Sequence, residues 1–120
     1  WGSVDLAGAI HLTGLSTEYV NTLRDMATLH AYVPLAEGWG LPPLEALAVG
    51  GRVVASQTVP SVQGRADVVL VDPLDSDAIS EGILSAARLE TGSDAIAARM
   101  ASVADLTWVN MAREHIEVWR

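Results

Sequence analysis

A chain of 120 residues has room for one compact domain, and with half of its residues apolar it can bury roughly two-thirds of its unfolded surface without covalent staples. There is no cysteine, which excludes disulfides and thiolate metal sites, and the three histidines (His11, His30 and His115) are scattered rather than spaced as a zinc site requires. The net charge is −8 and all seven basic residues are arginines, so the basic footprint a nucleic-acid partner needs is missing. No apolar run reaches the roughly 18 residues of a membrane span, and no basic flank precedes an apolar core as in a signal peptide; a cytoplasmic location is expected.

Residues 1 to 8 carry no clear period and read as a lead-in. Ala9-Ile10-His11-Leu12 reads as a first strand, Gly14-Leu15 as a turn, and Ser16 or Thr17 as the cap of a helix whose Val20, Leu23 and Ala27 share one face. Arg24 and Asp25 belong to the solvated side of that helix. His30-Ala31-Tyr32-Val33 is short, apolar and β-prone. The next helix has Pro42 and Pro43 in its first turn, Leu44, Leu47 and Ala48 at helical spacing, and Gly50 to cap its end. Val53-Val54-Ala55 is a third strand, Ser56 to Gly64 a polar connection, and Val68 to Val71 a fourth strand with the unbroken apolar run of a strand covered on both faces.

Asp72-Pro73 stops that strand, with Asp72 suited to a turn bond. Asp75 or Ser76 caps a helix lined by Ile79, Ile83 and Ala87. Thr91-Gly92-Ser93 breaks it, and Ser93 caps another with Ile96, Met100 and Val103 as its stripe. Thr107 caps the last helix, where Trp108, Ala112, Ile116 and Trp119 share a face. Strands alternating with helices predict an α/β fold, a Rossmann-like parallel sheet of about four strands with flanking helices.

The stretch from Pro34 to Gly50 carries the chemistry. Gly38 and Gly40 bracket Trp39 and permit a tight turn or a close approach of backbone to ligand. A helix start follows, and a helix N-terminus binds phosphate readily. Glu37 and Glu45, eight positions apart, frame it. Ionised carboxylates only accept hydrogen bonds, so they suit the donating hydroxyls of sugar and ribose, and one on each side of a phosphate-binding turn suits a diphosphate-linked sugar. A plain reading stands beside this: Glu45 as a glutamate favoured by the helix dipole, Glu37 as a solvated loop residue. Arg52 and Arg65 lie near strand ends; Arg65 reads as an exposed loop residue, and Arg52 is open.

Glu37-Gly38-Trp39-Gly40-Leu41-Pro42-Pro43-Leu44-Glu45-Ala46 resembles the Glu-x7-Glu signature of glycosyltransferase family 4, retaining enzymes of the GT-B fold with two Rossmann-like domains. Leu12 to Ser16 resembles the family's Gly-x-Val-Ser turn, Gly50 with Val53 to Ser56 its Gly-x-Pro-Val-Val-Ala-Ser strand, Val71-Asp72-Pro73 its Val-Asp-Pro turn, and Leu106-Thr107-Trp108 its Phe-Ser-Trp helix start. The likeness runs from about Ile10 to Arg120 and implies that residues 1–120 form a single partial C-terminal, donor-binding domain, with the N-terminal acceptor domain absent.

The resemblance implies roles. Glu37 takes the catalytic position against the donor sugar, Gly38, Trp39, Gly40 and Leu41 line the sugar and diphosphate, Glu45 holds the ribose, and Gly14 and Leu15 lie near the nucleobase. The substrate implied is a nucleotide-diphosphate sugar donor, with no metal or other cofactor. The sequence departs from the family in having no lysine, a one-residue-shorter Pro34-Leu35-Ala36, Arg52 where a proline is usual, and Pro60-Ser61 where Pro-Glu is usual. Two alternatives stay open: a module that binds a nucleotide sugar without turnover, and a structural fragment that self-associates. A homo-oligomer, or completion by a missing N-terminal domain, is expected.

Overall fold

A computed structural model describes residues 8–119, so residues 1–7 of the lead-in, and Arg120, lie outside the described residues. The described chain runs α1 (Thr17–Met26), β1 (His30–Tyr32), α2 (Leu41–Ala48), β2 (Val53–Ser56), a 3₁₀ turn (Pro60–Val62), β3 (Val68–Val71), α3 (Ser76–Ala87), α4 (Ser93–Ala101) and α5 (Trp108–Val118). The strands form one parallel sheet in the order β1-β2-β3, with His30 opposite Val53 and Val53 opposite Val68. All strand C-termini therefore open on one edge, where α/β folds place ligands.

The expected α/β architecture is present, with three strands. Ala9–Leu12 is not a strand: Ile10 and Leu12 are exposed. A strand persists only where a neighbour completes its hydrogen-bond ladder, and no described strand pairs with this segment.

The sheet is covered on both faces, and the strand period of two sorts the core. Val53, Ala55 and Val68 point to one face and pack with Leu44 and Leu47 of α2, Val59, Val62 and Val103. Val54 and Val71 point to the other and pack with Ala86, Ile79 and Ile83 of α3. Each fully buried Leu or Val contributes about 1.5–3 kcal/mol. α3 lies so close to β3 that a Cβ on Gly82 would stand 2.4 Å from Val71 Cγ1. The inward line of α3 is thus Ile79, Gly82, Ile83 and Ala86, and Ala87 is exposed.

The helix ends follow the sequence signals. The side chain of Ser16 accepts from Tyr19 N–H, Asp75 from Asp77 and Ala78, and Thr107 from Asn110. Gly50 ends α2 with φ +76°, its N–H donating to Leu47 O while Gly51 N–H reaches back to Ala46 O, the pair of bonds that closes a helix on a left-handed glycine. Asp72 Oδ1 accepts from Leu74 N–H at 2.9 Å, the expected turn bond.

Four expectations are corrected. The Ser56–Gly64 connection contains the 3₁₀ turn and buries Val59 and Val62 completely, because these two valines fill the space beside α2. β3 is not covered along its whole length: it is the last strand of the sheet, and Leu70 stays partly exposed. In α4 the cap is Gly92, and the buried positions are Arg99 and, just beyond the helix, Val103; Ile96 rests on Gly50 but stays partly exposed, and Met100 is about half exposed. Arg24 is not merely solvated but pairs with Glu45.

Candidate functional site

The site is built on the segment that leaves β1 at the C-terminal edge. Tyr32 ends the strand, packs its ring against the core, and aims its hydroxyl out of the edge. The loop after it is pinned from the neighbouring crossover. Thr58 Oγ1 donates towards Leu35 O at 3.3 Å, Ser61 N–H to Trp39 O at 3.0 Å, and the buried Ser61 Oγ to Gly40 O at 2.6 Å. Gly40 has φ +92°, and a Cβ there would stand 2.4 Å from Val59 Cγ1. Backbone conformation and packing each demand glycine at this position.

Glu37 projects from the pinned loop. The Tyr32 hydroxyl donates to its Oε2, and Gly38 N–H donates to its Oε1 at 2.8 Å. The Tyr32 bond first, then the Gly38 amide, hold the Glu37 carboxyl below its ordinary range, while the same carboxylate pushes the Tyr32 hydroxyl up. Glu37 is therefore ionised and Tyr32 protonated at neutral pH. Such a carboxylate accepts from hydroxyls; it is a poor proton donor.

Two amides stand at the start of α2, those of Gly40 and Leu41, since Pro42 and Pro43 carry no N–H. The helix N-terminus thus presents two donors next to Glu37 rather than the usual four. Trp39 and Leu41 expose their side chains beside them. Glu45 lies one turn further along the same exposed helix face as Leu41, about 6 Å down the axis. Its Oε2 pairs with Arg24 Nη2 at 2.6 Å, and Arg24 Nη1 donates to Asn21 Oδ1 at 2.7 Å.

Glu37, Gly38, Trp39, Gly40 and Leu41 are thus held together on one loop and helix start, with Glu45 one helical turn further along. Among the described residues no hydrogen bond or ion pair joins Gly14 or Leu15 to them. Gly14 (φ +66°) has open space around it, and Leu15 is exposed just ahead of the α1 cap. α1 buries none of its residues and stands off β1 and α2 across a cleft of about 360 Å³ lined by Val20, Leu23, Arg24, His30, Tyr32 and Pro43.

The other arginines near the sheet serve the fold. Arg52 lies at the opposite, N-terminal end of β2 and donates to Thr28 O, Ala87 O and Leu89 O. Arg65 donates to Ser61 O and Ser102 O, and the buried Arg99 to Gly50 O and Glu90 O. Sequence reading passed over Tyr32, Thr58, Ser61 and Arg24. Their part depends on contacts across 5 to 23 positions, for which local pattern carries no signal. Among the described residues no group of three or more His, Asp or Glu is arranged to hold a metal ion.

No family model matches the chain, and no solved structure matches it. Among curated proteins the chain is similar to O-antigen chain mannosyltransferase B of Escherichia coli, 35% identical over 97 residues, which cover 78% of this chain and 25% of that protein. The chain spans about a quarter of the length of the curated relative it matches.

Proposed function

We propose that this chain is the donor-binding part of a retaining glycosyltransferase of family 4 and GT-B type, which transfers a hexose from a nucleoside-diphosphate sugar to an acceptor hydroxyl. The observation that carries the reading is one piece of geometry: the Glu37 carboxylate stands beside the Gly40–Leu41 amides at the C-terminal edge of a parallel sheet, with Glu45 one helical turn further along. In this reading the ionised Glu37 accepts from sugar hydroxyls, the two amides meet the diphosphate, and Glu45 accepts from the ribose, drawing on a carboxylate now shared with Arg24. The similarity to a mannosyltransferase supports a glycosyl-transfer role and makes mannose the first sugar to try.

The test is a thermal-shift panel of nucleosides, nucleoside diphosphates and nucleoside-diphosphate sugars, mannose included, because binding to the folded state raises the melting temperature. A shift with the sugar nucleotide is expected, reduced in both Glu37→Gln and Glu45→Ala. The unliganded melting temperature of Glu45→Ala should change little, since a half-exposed ion pair contributes about 0–1 kcal/mol. A shift without sugar transfer would favour a binding module; no shift with any nucleotide would set the donor reading aside.

A further inference from the structure

We propose that Tyr32 is a positioning residue for the donor sugar: its hydroxyl fixes the Glu37 carboxylate in the orientation that receives the sugar hydroxyls. This rests on the donor reading above and adds to it a group that the carboxylate signature does not contain. Three observations carry it. The Tyr32 ring packs against the buried cluster of α2, β2 and the 3₁₀ turn, so the hydroxyl is delivered from a rigid base. The hydroxyl donates to Glu37 Oε2 while Gly38 N–H donates to Oε1, so each carboxylate oxygen is tied by one bond. The loop that carries Glu37 is tied on both sides of it, at Leu35 by Thr58 and at Gly40 by Ser61.

A carboxylate has about four acceptor positions. Tyr32 and Gly38 occupy two of them, on different oxygens, the Trp39 amide acts on the same carboxylate more weakly, and the positions left face outward for ligand hydroxyls. Two acceptors separated by a single carboxylate match two hydroxyls on neighbouring carbons. The ligand feature the brace selects is therefore an adjacent pair of sugar hydroxyls. The groups acting on Glu37 are the Tyr32 hydroxyl and the amides of Gly38 and Trp39. Tyr32→Phe keeps the ring in the core and removes only the hydroxyl.

The experiment uses the 120-residue chain and two readouts. In the first, the side-chain carboxyl signals of the glutamates are followed by carbon NMR against pH, with and without Tyr32→Phe. Glu37 should titrate below the ordinary glutamate range in the wild type and move up in Tyr32→Phe; an unchanged Glu37 titration would overturn the brace. In the second, calorimetry compares a nucleoside-diphosphate sugar with the same nucleoside diphosphate lacking the sugar. Tyr32→Phe should weaken the sugar nucleotide by about tenfold and leave the bare diphosphate unaffected. On acidification the variant should lose the sugar nucleotide at higher pH than the wild type, because Glu37 is then protonated earlier.

Equal affinity of both chains for the sugar nucleotide, at every pH, would overturn the positioning role. A wild type that binds no sugar nucleotide would bring down the donor reading and the positioning role together, and the NMR titration separates that case from a failure of the brace itself.

Discussion

Burying an imidazole nitrogen without a partner is tolerable only while the ring stays neutral, and His30 is in that position. Its Nε2 is buried and unpaired, wedged where a Cβ on Gly51 would stand 2.7 Å away. Burial first, and the Arg24 charge second, lower its value below the ordinary 6.5. The sign follows from proton counting. Between the lowered folded value and 6.5 the unfolded chain holds the proton and the folded chain does not, so stability rises with pH through this window and falls on acidification. The wild-type melting temperature should drop as the pH is taken below 6.5, and His30→Leu should flatten that part of the curve. Identical acid profiles for the two chains would show that another group sets the response.

At the scale of the elements, Arg52 shows why one side chain can replace a local rule. The position before β2 is a proline in the resembled family, and here the arginine reaches across the N-terminal end of the sheet. Its guanidinium binds Thr28 O through Nε and Nη2 at 2.9 and 2.7 Å and Ala87 O through Nη1 at 2.6 Å. Ala87 is the last residue of α3, whose end carbonyls lack partners within the helix. A cation at a helix C-terminus also meets the negative end of the dipole. Arg52→Ala should therefore cost about 2 kcal/mol of stability in chemical denaturation, without altering the affinity for a sugar nucleotide, because the residue lies at the end of the sheet away from Glu37. A parallel loss of binding in the folded variant would tie Arg52 to the site instead.

The molecule as a whole leaves apolar surface uncovered. Its radius of gyration is 15.8 Å, against about 14 Å for a compact domain of this length. α5 buries none of its residues, and Trp108, Ile116 and Trp119 of its expected stripe are 76%, 56% and 87% exposed. β1 has only β2 as a described neighbour, so one edge of the sheet is open beside the α1 cleft. Open edges and apolar patches both favour pairing with another surface. Sedimentation of the 120-residue chain should show a self-associated species, and Trp119→Glu should shift it towards monomer. A monomer at high concentration would mean that neither surface is sufficient. Among the described residues no helix is long and apolar enough to cross a membrane.

Among the described residues the three strands, the five helices and most of their caps were legible in the sequence, because period, cap residues and glycine stops act within a few positions. The Glu37–Glu45 spacing was legible for the same reason: a loop and one and a half helical turns fix it locally. What tertiary structure alone decided were the partners. The Ala9–Leu12 run has strand composition, but no described strand pairs with it. Val59 and Val62 look like loop residues until α2 lies over them. Arg99 sits at a buried position of α4 because Gly50 O and Glu90 O are there to receive it. The environments of both carboxylates were settled in the same way, Glu37 by a tyrosine hydroxyl and Glu45 by an arginine 21 positions away. Local pattern records what a residue prefers along the chain. The charge state and free lone pairs of a carboxylate depend on what the fold brings against it, and that is a property of contacts between distant segments.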